Sequence, residues 1–184
     1  MTDLDRQANL LGALALVIAD RTTEAVAAAA GQSDTAAAAL SALYHFLGQP
    51  TIDMLRRVLG LTSSGTVRLV DRLVDAGYVT RGPGSDGRSV AVTLTDEGRR
   101  AAQRVSQARA EVLRSALHHL SPADRDTFER LMGELAVAFI RGPGATKWIC
   151  RLCDTGACGR DEGCCPVANA ALAAHNQTRS QSGD

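Results

Sequence analysis

The order of elements between Thr51 and Leu94 limits the fold more than any other part of this chain. Thr51–Leu59 reads as a short helix ended by Gly60. Thr62-Ser63-Ser64 then opens a longer helix that runs to about Ala76 and stops at Gly77. Helical spacing gives way there to β runs. Tyr78-Val79-Thr80 and Val90-Ala91-Val92-Thr93-Leu94 read as two strands, joined by the glycine-rich loop Arg81-Gly82-Pro83-Gly84-Ser85-Asp86-Gly87-Arg88. The expectation is that helix and hairpin point the same way, outward from the core.

Helices flank this unit. Leu10, Leu11, Leu14, Val17 and Ile18 recur at helical spacing within residues 6–30. Gly31 with Ser33-Asp34 separates that helix from the next, Thr35–Leu47, and Gly48-Gln49-Pro50 breaks the chain again. Thr95-Asp96-Glu97-Gly98 caps a long charged helix to about Leu120, and Ser121-Pro122 starts one more, to about Ile140. Gly142-Pro143-Gly144 ends the regular part. The fold class expected is mainly α with a small β-hairpin wing. The parts are a first dimerisation helix (1–34), a reading head (35–98), further dimerisation helices (99–141), a cysteine-rich segment (142–174) and a disordered polar tail (175–184).

Two helices hinged on a tight turn, then a glycine-tipped hairpin, make a winged helix-turn-helix. In the second helix Thr66, Leu69, Val70 and Leu73 fall on one side and pack on the core. Ser64, Gly65, Arg68, Asp71, Arg72 and Asp75 fall on the other. Small hydroxyls at the helix start, Ser63 and Ser64, can approach base edges or phosphate, and the backbone N–H groups there favour an anion. Arg68, one turn on, is placed to pair with guanine O6 and N7. The plainer reading is a solvated face whose arginines and aspartates pair with one another. The hairpin tilts the balance, because Arg81 and Arg88 beside several glycines suit a tip that enters a minor groove.

The run Leu61-Thr62-Ser63-Ser64-Gly65-Thr66-Val67-Arg68-Leu69-Val70-Asp71-Arg72-Leu73-Val74-Asp75-Ala76-Gly77-Tyr78-Val79 resembles the recognition-helix block of the MarR (multiple antibiotic resistance regulator) family. Asp86-Gly87-Arg88-Ser89 followed by Val92-Thr93-Leu94-Thr95-Asp96-Glu97-Gly98 is similar to that family's wing and the start of its next helix. The resemblance runs from about residue 6 to 141. It implies a homodimer whose first and last two helices interlock, with two winged heads on successive major grooves of a double-stranded pseudopalindrome. By resemblance, Ser63, Ser64, Thr66, Val67 and Arg68 line the base-reading helix and Arg72 touches phosphate. Arg88 enters the minor groove, oriented by Asp86. Periodicity nevertheless places Thr66 toward the core. Family members bind a small-molecule effector in a cleft beside the head, or sense oxidants or metals. Tyr44, His45 and Phe46 lie where that cleft is often lined, although such residues on a helix are more often core.

Net charge is zero, so nucleic-acid binding has to come from a local patch. Of the 20 basic residues only Lys147 is a lysine, which leaves bidentate donors wherever the chain meets phosphate or bases. No apolar stretch is long enough to span a bilayer. The start of the chain lacks the basic region of a signal peptide, and the expected compartment is the reducing cytoplasm.

All 5 cysteines lie between Cys150 and Cys165. Packing cysteines scatter through a core, whereas a crowd of thiolates in one short segment suits metal ligation. The spacing Cys150-x2-Cys153-x4-Cys158-x6-Cys165-Pro166 predicts a tetrahedral zinc site. The same ligands could hold an iron–sulfur cluster, or form a reversible disulfide switch. Cys164 competes with Cys165 for the last position, and Cys165 is preferred as the ligand before proline. The function expected is a dimeric repressor of transcription, not an enzyme, with a structural or sensory thiol site. The alternatives are a thiol or metal redox protein, or a winged helix that docks a protein instead of DNA. No thioredoxin-like βαβ pattern surrounds Cys150-x2-Cys153, and no phosphate-cradling loop or dinucleotide fingerprint is present.

Overall fold

The computed structural model describes residues 2–31, 33–140 and 145–181. Helix α1 (Asp3–Ala30) starts at a capping box in which Thr2 and Asp5 satisfy each other's backbone N–H, and ends at Gly31 with a left-handed φ of 60°. Helix α2 (Asp34–Ala42) is nearly all alanine, and its residues from Ala36 to Ala42 are buried. Small side chains let it pass through the middle of the molecule, where it packs on α1, α5 and α3. It continues as a π turn, Leu43–Leu47, before Gly48 breaks it. The sequence pattern runs a helix through these residues but carries no sign of the π register.

Helices α3 (Ile52–Leu59) and α4 (Ser63–Asp75) start alike, with Thr51 Oγ1 accepting from Met54 N and Thr62 Oγ1 from Gly65 N. Gly60, at φ 65°, makes the left-handed turn between them. Strands β1 (Val79–Pro83) and β2 (Val90–Leu94) pair antiparallel with Val79 opposite Leu94, and Thr51 adds an isolated bridge to Ala91. Helix α5 (Asp96–Leu117) follows at once. Its Gly98 is required, since a methyl group there would come within 1.9 Å of the Tyr78 carbonyl oxygen. Leu40, Leu43, Leu55, Leu69, Val70, Leu73, Val79 and Val92 form the main core, which fixes the head against α2 and α5. Helix α6 (Pro122–Ala138) begins at Ser121, whose hydroxyl accepts from Asp124 N at 3.2 Å.

The C-terminal region departs from the expected one. The cysteine segment contains a short helix α7 (Ala145–Ile149), and α8 (Pro166–Gln181) occupies most of what composition assigns to a disordered tail. Proline at the first position, where no N–H is needed, starts α8, and the alanines after it are strong helix formers. The Gly142-Pro143-Gly144 break and residues 182–184 lie outside the described residues. Helix α8 packs on α6 at Gly133, where an added methyl would lie 3.0 Å from Pro166 Cγ.

Several apolar side chains lie exposed together on α1 and on α6. Leu4, Leu10, Leu11, Leu14, Leu16 and Val17 of α1 are at least 48% exposed, and Leu131, Met132 and Leu135 of α6 are at least 41% exposed. Patches of this kind mark an association surface.

Candidate nucleic-acid interface and thiol cluster

Helix α4 has two faces, as its periodicity requires. Leu69, Val70 and Leu73 are buried, whereas Ser63, Ser64, Val67, Arg68 and Arg72 are exposed. The exposed row offers what base reading uses: hydroxyls in the first turn, an apolar Val67 able to meet a thymine methyl, and an arginine fork. Thr66 is a correction to the expected set. It is 0% exposed and its hydroxyl donates to the Thr62 carbonyl oxygen at 2.9 Å, so it holds the helix start and cannot reach a base.

The wing is ordered by one carboxylate. Asp86 Oδ1 accepts from Arg88 N at 3.0 Å, Ser89 N at 2.8 Å and Ser89 Oγ at 2.6 Å. The Ser89 hydroxyl first, then the backbone amides, holds the Asp86 carboxyl down at about 2. The resemblance implies that Asp86 orients Arg88, and the bond it accepts is from the Arg88 backbone N–H. The carboxylate's hydrogen bonds shape the backbone of the tip, which leaves Arg88 exposed at the end of the hairpin. Arg81, on β1, donates to Asp71 on α4 and ties the base of the wing to the helix.

Residues 30–89 match the family model described as MarR family. Over those residues the winged head resembles a MarR-family head. A MarR family protein from Bacillus stearothermophilus is 26% identical over 73% of this chain and 95% of its own, with a TM-score of 0.65. A probable transcriptional regulator from Pseudomonas aeruginosa is 27% identical, covering 68% of this chain and 96% of its own, with a TM-score of 0.53. Wild-type MarR from E. coli shares the fold at 22% identity and a TM-score of 0.56, covering 68% of this chain and 96% of its own. No curated protein matches the chain.

Beyond the MarR-type head, the structure gathers the expected cysteines. Cys150 and Cys165 are buried against Ala136, Ile140 and Ile149, with Cys153 and Cys158 packed alongside. Cys164 is exposed, outside this cluster. Tight turns bring the thiols together: Cys153 N donates to Cys150 O, Cys158 N to Asp154 O, and Cys164 N to Gly159 O. Arg160 Nη2 reaches Cys150 Sγ at 3.0 Å, and its buried Nε has no partner among the described residues.

The thiols act on one another: Cys150 on Cys153 and Cys165, and Cys158 on Cys165 and Cys153. A hydrogen bond from Cys150 holds the Cys153 thiol down to about 6 and pushes Cys150 up, and burial raises Cys158. Among the described residues, no group of three or more His, Cys, Asp or Glu side chains is arranged to hold a metal ion. Four of the five thiols share one small apolar cluster. The tetrahedral geometry expected from the spacing is not preformed.

The π turn lies beside this cluster. His45 Nε2 is 2.8 Å from Ser106 Oγ on α5, and its Nδ1 is 3.6 Å from Asp154 Oδ1. Burial lowers the His45 pKa more than Asp154 raises it. Tyr44, His45 and Phe46 do border a cleft, of about 350 Å³, together with Thr93 and Arg99. Sequence reasoning missed the Asp154 and Thr155 contacts to His45, since nothing in the spacing relates residues so far apart.

Proposed function

We propose that the protein is a dimeric DNA-binding regulator of transcription, acting as a repressor at a pseudopalindromic operator. The exposed row Ser63, Ser64, Val67, Arg68 and Arg72 on α4, beside a hairpin tipped by Arg88, carries this reading. Arg68 and Val67 read base edges in the major groove, Arg72 meets phosphate, and Arg88 enters the minor groove. MarR-family proteins bind DNA as dimers, and the bare leucines of α1 and α6 are the surface this chain has for a second copy. With each copy's head on one face, two-fold symmetry sets half-sites about one helical turn apart.

The thiols of Cys150, Cys153, Cys158 and Cys165 form the second site. Zinc is the ion such a donor set takes in a reducing compartment, and an iron–sulfur cluster is its other occupant. Bound there, the ion would supply a fixed anchor for a segment with little core of its own. Arg160 supports an anionic centre, because one of its nitrogens already points at Cys150 Sγ and another is unpartnered.

The test is selection of bound duplexes from a random pool by the purified protein, followed by salt titration of the winner. A regulator of this kind enriches an inverted repeat, and its affinity falls steeply with salt. A protein-docking winged helix enriches nothing, and that result would end the reading.

A further inference from the structure

The stretch from Lys147 to Cys165 touches each layer of the molecule. At one end Trp148 covers the turn between α3 and α4: a methyl on Gly60 would lie 3.6 Å from its Nε1. Lys147 Nζ reaches Met54 Sδ on α3 at 3.5 Å. In the middle, Leu152 enters the cluster formed by Val26, Ala30, Ala37 and Val105, which joins α1, α2 and α5. Thr155 Oγ1 donates to the His45 carbonyl oxygen at 3.0 Å, and the Arg160 guanidinium lies 5.8 Å from the centre of the Phe46 ring. At the far end the buried thiols Cys150 and Cys165 rest on Ala136 and Ile140 near the end of α6.

We propose that this segment is an internal strut between the reading head and the helices that pair the two subunits, and that the state of its four thiols sets how firmly it holds. The strut has no regular element from Arg151 to Cys165. Its shape depends on tight turns and on the contacts among Cys150, Cys153, Cys158 and Cys165. Changing those sulfurs therefore changes the positions of Trp148 and Thr155, two of the side chains that grip the head. The π turn is the receiving element. Thr155 gives the His45 carbonyl in that turn a partner from outside its own helix. His45 carries the contact onward to Ser106 on α5.

The consequence for DNA rests on the head being a DNA reader, but the strut itself does not. Full-length protein is compared before and after carboxamidomethylation of its thiols by iodoacetamide, in which each sulfur displaces iodide. Hydrogen exchange is followed by mass spectrometry. Exchange in 43–47 and 60–65 is expected to rise by about tenfold, as local opening requires, while the wing at 80–90 is unchanged. A rise confined to 145–165 overturns the strut. The double variant Trp148→Ala, Thr155→Val, with thiols intact, is expected to raise exchange at the same two places, and alkylation then adds nothing there. A further rise equal to that of the parent also overturns it. A failed DNA reading shows separately, as absence of operator binding by the unmodified parent.

Discussion

Arg81 on β1 donates a hydrogen bond to Asp71 on α4. The pair fixes the base of the hairpin against α4 and also spends one of the head's cations on an internal partner. Both groups are partly solvated, so the link contributes no more than about 1 kcal/mol to stability. Asp71→Ala is expected to leave thermal stability nearly unchanged and to free Arg81 for phosphate. The slope of log affinity against log salt then steepens by about one. An unchanged slope means that Arg81 stays clear of the duplex.

Arg68 and Arg88 separate reading from anchoring. Arg68→Ala should lose about 1–3 kcal/mol at one base position and relax the preference there. Arg88→Ala should weaken binding to all duplexes alike. Competition titrations with single-base operator variants measure both, and equal affinity of both mutants and the parent for the operator refutes this docking.

Thr66 tests the correction made to the base-reading row. Its hydroxyl is fully buried on a helix carbonyl, so Thr66→Val should change stability by about 1 kcal/mol or less and leave base preference untouched. A shifted preference in the selected operator would put Thr66 back at the interface.

Cys153 is the thiol held lowest, by its hydrogen bond from Cys150. In metal-free protein it should be the first alkylated at neutral pH, its rate falling as pH drops through about 6 and the thiolate is protonated. Peptide mapping after brief iodoacetamide treatment reads this directly. Cys153→Ser should also abolish bound metal by elemental analysis, whereas the exposed Cys164→Ser should not. Equal metal content in Cys153→Ser and parent removes Cys153 from the ligand set.

The head was legible in the sequence because each of its devices is local. Thr51, Thr62 and Thr95 cap the helices they precede, Gly60 makes the turn, and the apolar positions of α4 repeat at the helical period. The π turn was not legible, because an extra residue in a helix leaves no signature in Leu43–Leu47. Helix α8 was missed because its polar composition reads as tail, although alanines and Pro166 favour a helix there. The cysteine spacing predicts a four-thiolate site; the structure packs Cys150, Cys153, Cys158 and Cys165 in one cluster, with no metal-holding arrangement among the described residues. What spacing could not convey is that the segment leans on His45, Gly60 and Gly133, contacts made only once the chain has folded.

The π turn also marks where this chain can be re-indexed. A π turn holds one more residue than the α-helix it interrupts, so deleting Phe46 would let α2 run on in a single α register. The residues before and after the deletion would then turn by about 100° relative to each other around the helix axis, which disturbs the His45 contacts to Thr155 and Ser106. One lost codon would thus loosen the cysteine segment at His45 while Trp148 still covers Gly60, without touching a cysteine or an exposed arginine of α4.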